Sequence, residues 1–206
     1  MVFASLVLNE VAHGRAALAL GDDTAQRQGR LSLNPMRHLD PVGLAVFVVC
    51  LLVLHVGFGW AKPVPIDPRK LQDPKRDMAR IAIAGPAMNF VLAGLAAGTL
   101  YLLSLMGIVD VSRLLGIIAT SQDLPVMQSW QMLLGFVLLV GVTANLVLGL
   151  LNLLPIPPLD GSRILYAMLP YYWGYRLYRL QSYTIPALLA IPALLILYNL
   201  YRLLAL

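Results

Sequence analysis

The chain has 206 residues, 59% of them hydrophobic and 12% charged, with a mean hydropathy of +0.77. That much apolar sequence has no use in a soluble domain of this size but suits several bilayer spans, so composition excludes an ordinary water-soluble enzyme and predicts an all-α polytopic membrane protein. The net charge of +5 sits mostly in two loops, which fits lipid-facing cytoplasmic loops better than nucleic-acid binding, and the lone Cys50 excludes an internal disulfide and a cysteine-based zinc site.

Residues 1–20 form the first apolar segment, interrupted by Asn9, Glu10, His13 and Arg15. Met1–Leu8 lacks a basic n-region, which argues against a cleaved signal peptide. Glu10 is the only glutamate in the chain. A single buried histidine reads as a structural hydrogen bond. A carboxylate and an imidazole three residues apart lie on one helix face, and in a membrane helix such a pair reads as a site. The run Asn9–Glu10–Val11–Ala12–His13 is also one residue short of H-E-x-x-H, in which two histidines hold zinc and the glutamate activates water. Asn9 stands where the first histidine is expected.

Gly21–Asp22–Asp23 ends that segment, and the chain is polar from Thr24 to Asp40, with Arg27, Arg30 and Arg37. Within it, Gly29–Pro35 alternates apolar and polar residues, predicting a short strand before a turn. Residues 42–59 are apolar again and would reach roughly 27 Å as a helix, just enough to cross. The stretch Gly57–Pro65 reads as interfacial, extended and stiffened by proline, and a basic loop follows with Arg69, Lys70, Lys75, Arg76 and Arg80. Residues 79–106 and 130–154 are strong spans, separated by a segment whose single basic residue is Arg113. A polar loop after Pro155 leads to the aromatic, basic run Tyr171–Arg179 and a last apolar segment at 182–201. With no repeat and no low-complexity linker, the expectation is one membrane domain over 1–206, a bundle of about four to six hydrophobic segments with short strands near the site.

Charge constrains the topology. The loops at 24–41 and 61–80 are both rich in Lys and Arg, which favours the cytoplasmic side for each. A simple crossing by 42–59 would separate them, whereas a re-entrant segment keeps them together, provided protein or water satisfies its backbone. The first segment and 130–154 then run in the same direction, and the Glu10–His13 pair faces the loop that begins at Pro155.

That loop, Asn152–Leu153–Leu154–Pro155–Ile156–Pro157–Pro158–Leu159–Asp160–Gly161, is the other unusual stretch. Its three prolines break a helix while still near the bilayer, and Asp160 follows the break, where a carboxylate is well placed to bind a cation. Taken alone, Asp160–Gly161 would be an interfacial turn.

These blocks together resemble the site-2 protease family of intramembrane zinc metalloproteases, in its short form without PDZ or CBS domains. The resemblance covers nearly the whole chain: Glu10–Gly14, Gly21–Asp22, Gly29–Pro35, His38–Gly43, Gly57–Pro65, Ala84–Asn89 and Asn145–Gly161. It implies a zinc ion held by the histidines of H-E-x-x-H and the aspartate of an L-D-G motif. Carried over, His13 and Asp160 are metal ligands, Asn9 occupies the position of the missing ligand, and Glu10 is the general base. Gly85, Asn89 and Asn145 fall at family positions near the catalytic centre and are candidates for substrate contact; helix packing and interhelical hydrogen bonding account for them equally well.

A neutral amide oxygen binds zinc more weakly than imidazole, so Asn9 is expected to impair metal binding and hydrolysis. The other imidazoles are His38, which belongs to its own block, and His55, which reads as packed or water-facing. The resemblance implies an intramembrane endopeptidase that cuts transmembrane segments of membrane-protein substrates, embedded in a bacterial cell membrane. The extended Gly57–Pro65 stretch would offer an edge for a locally unwound substrate. Two alternatives remain open: an inactive family member that binds transmembrane partners, and a small cation or proton transporter using Glu10, His13 and Asp160 as a relay.

Overall fold

The computed structural model describes residues 2–54, 60–120 and 129–170, with residues 172–174, 176–177, 179–180, 183–184, 190 and 195 beyond them. His55, Gly57–Gly59 and most of the predicted segment 182–201 lie outside the described residues. The helices are α1 (Val2–Ala19), α2 (Thr24–Arg27), α3 (Pro41–Leu54), α4 (Pro74–Leu105), α5 (Val111–Thr120), α6 (Trp130–Asn152) and α7 (Asp160–Met168).

Two of these, α4 and α6, are long and apolar enough to cross a membrane. Helix α4 starts five residues before the predicted span. Asp73 accepts from the Arg76 amide, and Pro74 at the first helical position needs no donor, so the polar sequence Pro74–Met78 is already helical. The face that α4 buries is built on Gly85, Asn89, Ala93 and Ala96, and that of α6 on Gly135, Gly141, Asn145 and Gly149. Small residues at helical spacing let the two backbones approach closely: a Cβ on Gly149 would lie 3.1 Å from the Phe90 ring. The outer side of α6 exposes Leu133, Val137, Val140, Leu146 and Val147, an apolar surface that suits lipid.

Helix α4 is the axis of the fold, packing against α1, α6 and α7. Ala96, Leu100, Val109 and Leu138 form one core cluster between α4, α6 and the turn before α5. Ala17, Leu71 and Ile81 form a second at the other end, where α1 and the 66–71 loop meet α4.

Helix α3 has 14 residues, about 21 Å, which is short of a hydrocarbon core of about 30 Å. Its flanks are tied together: the Lys62 amide donates to the His38 carbonyl at 2.8 Å, and Leu39 and Ala61 form an antiparallel bridge. The chain that leaves at Pro41 is therefore back beside its starting point at Ala61. Among the described residues this bridge is isolated and no strand forms. The expected strand at Gly29–Pro35 is a bent loop instead, for reasons of backbone chemistry: Gly29 has φ +64, and Asn34 turns its side chain onto the Met36 amide to cap a 3-10 turn at Pro35–Arg37.

Candidate metal centre

Helix α1 carries the first half of the site on one stripe. Asn9 and His13, four residues apart, share a face and are 5% and 6% exposed. The His13 ring is fixed from behind by α4, where Nδ1 lies 2.7 Å from the Ile81 carbonyl oxygen. A carbonyl only accepts, so Nδ1 carries the proton and Nε2 is left with a lone pair in the neutral ring. Pro86, which has no amide to offer the carbonyl of Ala82, lies in the next turn of α4.

The second half arrives from the end of α6. The chain turns through Leu153–Leu159 and re-enters a helix at Asp160. Gly161 makes this possible, because any Cβ there would overlap the backbone of Leu153 and Leu154. The Ser162 hydroxyl and amide both donate to the Leu159 carbonyl and fix the first turn of α7. The result is a separation of 3.1 Å between His13 Nε2 and Asp160 Oδ2, although 147 positions separate Glu10–His13 from Asp160 in the numbering of the chain.

Glu10 lies one turn before His13, and its Oε2 accepts from the Val64 amide at 2.8 Å. Val64 belongs to the extended 60–65 stretch, which is itself braced by Arg30. Arg30 is buried, and its guanidinium donates to the carbonyls of Lys62 (2.6 Å), Pro63 (3.2 Å) and Arg37. His38, fully buried, has Nε2 2.8 Å from the Ser32 carbonyl. It holds the loop rather than the metal position.

A further cluster anchors the 60–70 loop to the end of α1. Asp22 accepts from the Thr24 amide and hydroxyl and, at 2.7 Å, from the Asp67 amide. Lys70 donates to Asp23 and to the Thr24 hydroxyl. Burial raises the Asp22 carboxyl, but these hydrogen bonds and the nearby Lys70 ammonium outweigh it and hold the group below its ordinary value. The Arg69 guanidinium and amide likewise hold Asp67 low.

Gly85 lies beside His13 and Asn9, whereas Asn89 and Asn145 are buried where α4 and α6 pack. A Cβ on Gly85 would overlap His13 Nε2 and lie 2.8 Å from Asn9 Nδ2. Asn89 is 1% exposed with both amide atoms unpartnered; Asn145 donates to the Gly141 carbonyl, leaving its oxygen unpartnered. Buried amides without partners are rare and are filled by water or ligand where they occur.

Whether these residues fit a metal ion can be tested on their spacing. Two donors each about 2.0–2.1 Å from a tetrahedral zinc lie about 3.3 Å apart, and the His13–Asp160 separation of 3.1 Å matches that. Among the described residues, no group of three or more His, Cys, Asp or Glu is arranged to hold a metal. The third position borders Asn9, whose Nδ2 is buried without a partner. His13 and Asp160 are thus compatible with two ligands of a divalent ion, and Asn9 is the polar group beside His13.

Sequence reading missed the Val64 amide, the Ile81 carbonyl, Arg30 and Asp22. The first two are backbone groups of apolar residues and leave no side-chain signal; the last two lay inside quoted blocks, where a buried arginine or aspartate was the available clue.

Comparison with known proteins places the chain in context. The family model for Peptidase family M50 matches residues 1–191. A Bacillus subtilis (strain 168) protein named "Putative zinc metalloprotease YwhC" is 39% identical over 166 residues, covering 81% of this chain and 66% of that protein. A Mycolicibacterium smegmatis protein named "Putative zinc metalloprotease Rip2" is 32% identical over 162 residues, covering 76% of this chain and 51% of its own length. The match thus spans just under two thirds of the first relative and about half of the second. No solved structure matches the chain significantly.

Proposed function

The chain belongs to peptidase family M50, and on that premise we propose that it is a zinc-dependent endopeptidase that hydrolyses transmembrane segments of other membrane proteins. We place it as a single multi-pass domain in a bacterial cytoplasmic membrane, in keeping with the apolar faces of α4 and α6 and the bacterial sources of its relatives. The observation that carries the reading is the approach of His13 Nε2 to Asp160 Oδ2 at 3.1 Å, one helical turn from the only glutamate in the chain.

His13, Asp160 and the amide of Asn9 would hold the ion. The chemistry zinc supplies when bound is polarisation of the scissile carbonyl and acidification of a nearby water. Glu10 takes the proton from the attacking water and returns it to the leaving amine. The Val64 amide engages Oε2, so Oε1 is the oxygen available for the proton. Asn89 and Asn145, with buried amide atoms unpartnered, would meet the carbonyls and amides of a locally unwound substrate.

The test is cleavage of a transmembrane substrate in detergent or liposomes. Glu10→Gln is expected to lower the rate by at least about 100-fold, the scale of general-base catalysis, with zinc content unchanged. Equal rates for the two proteins would overturn the assignment.

A second reading, a non-catalytic family member that binds transmembrane partners, is favoured by one observation: Asn9 replaces the first ligand of H-E-x-x-H. It predicts that the unaltered chain is as silent as Glu10→Gln while still capturing its partner.

A further inference from the structure

The donor set supports an inference beyond that reading, although it rests on it. We infer that Asn9 is a weak oxygen ligand that retunes the site, so that this chain discriminates zinc from manganese far less than a two-histidine site would.

Three observations converge on Asn9. Its side chain is buried at 5% exposure, and its Nδ2 has no hydrogen-bond partner. That orphaned end and His13 Nε2 both lie against the bare Cα of Gly85. His13 Nε2 in turn faces Asp160 Oδ2 at 3.1 Å. An amide's nitrogen and oxygen exchange places by a half-turn of the group, and a cation held by His13 and Asp160 would select the oxygen. The half-turn would bring the oxygen, rather than the unpartnered Nδ2, to the ion.

The chemistry follows from donor type. Imidazole suits zinc, whereas carboxylate and carbonyl oxygens suit magnesium, calcium and manganese. H-E-x-x-H with an aspartate offers two nitrogens and one oxygen, whereas His13, Asp160 and Asn9 offer one nitrogen and two oxygens. Replacing an imidazole by a neutral oxygen weakens zinc binding strongly and manganese binding less. The preference between the two ions narrows, and the occupant depends more on which ion is abundant.

The experiment measures metal binding and needs no substrate. The full chain in detergent is compared with Asn9→His and Asn9→Ala, with zinc read by competition against a chromophoric chelator and manganese by the electron-spin signal of the free ion. Asn9→His is expected to raise zinc affinity by about 100-fold and manganese affinity by less than about tenfold, widening the zinc-to-manganese ratio at least about tenfold. Asn9→Ala is expected to lose about tenfold for both ions. Should that variant fail to fold, Asn9→Asp replaces it and is expected to bind manganese more tightly than the parent.

An unchanged ratio in Asn9→His, or parental affinities in Asn9→Ala, would overturn the inference while leaving the zinc-peptidase reading intact. So would an Asn9→Asp variant that binds manganese no better than the parent. If no variant takes up either metal, Asn9→His included, both fall together.

Discussion

Gly85 shows how little room the centre has. The approach of α4 to α1 leaves the His13 ring and the Asn9 amide against the bare Cα of this glycine, and a methyl group there would overlap Nε2. Gly85→Ala is therefore expected to push His13 off its Ile81 carbonyl and lower metal affinity by about 10–100-fold, as loss of an orienting contact does. Equilibrium metal titration reads this directly, and unchanged affinity would mean that the ring has somewhere else to go. The meeting of positions 13 and 160 was implied by the family resemblance, with loop charge placing both stretches toward one face; Asp160 alone would have read as a turn. What orients those side chains was not legible in the sequence. Ile81 and Val64 act through their main chains, and an isoleucine or valine codon says nothing about where its carbonyl or amide is spent.

The same division holds for the elements. Helices α4 and α6 announce themselves by unbroken apolar sequence. The Gly29–Pro35 alternation was read as a strand because period-two patterning is the usual mark of one; it failed because its backbone groups are taken up locally and Arg30 is turned inward as a brace. Arg30→Ala is expected to free the carbonyls of Lys62 and Pro63 and release the Val64 amide from Glu10, lowering turnover at least about tenfold with metal affinity unchanged. Arg30→Lys, with one compact ammonium in place of a fork, should recover only part of the loss. A fall in metal affinity equal to the fall in rate would mean that the brace acts on the ligands instead.

Asp22 couples the end of α1 to the 67–70 loop, and its acidity gives that junction a pH dependence. Its folded pKa is depressed below an unfolded value of about 3.9. Its stabilising contribution is therefore complete above the unfolded value and is lost as acid carries the pH down through the folded one. Asp22→Asn should lower stability near neutrality by about 2–3 kcal/mol and flatten the acid limb of a plot of unfolding midpoint against pH. A parallel shift of the whole curve would place the acid sensitivity elsewhere.

Contacts between the two basic loops bear on how the protein would sit in a bilayer. Lys70 reaches Asp23 and the Asp67 amide reaches Asp22, so the ends of the two loops touch, and both are expected on one side of a bilayer. The bridge between Leu39 and Ala61 explains how, since the apolar stretch between them returns to where it began. Single cysteines at the exposed positions Arg27 and Arg69, in a Cys50→Ser background, should therefore react together with an impermeant thiol reagent in oriented membranes. Protection of one and labelling of the other would contradict this arrangement. Sequence alone left crossing and re-entry open because hydropathy reports how apolar a segment is, not whether its two ends touch.

The 61–65 strip has a bearing on how it would receive a guest. Pro63 and Pro65 have no amide hydrogen, the amide of Lys62 is committed to His38 and that of Val64 to Glu10. From Lys62 to Pro65 every amide hydrogen is absent or committed, and the Lys62 and Pro63 carbonyls already accept from Arg30, so a polypeptide laid alongside would have to supply its own N–H groups. Because the Val64 amide of that strip also holds Glu10 Oε2, a guest that displaced the strip would move the carboxylate with it.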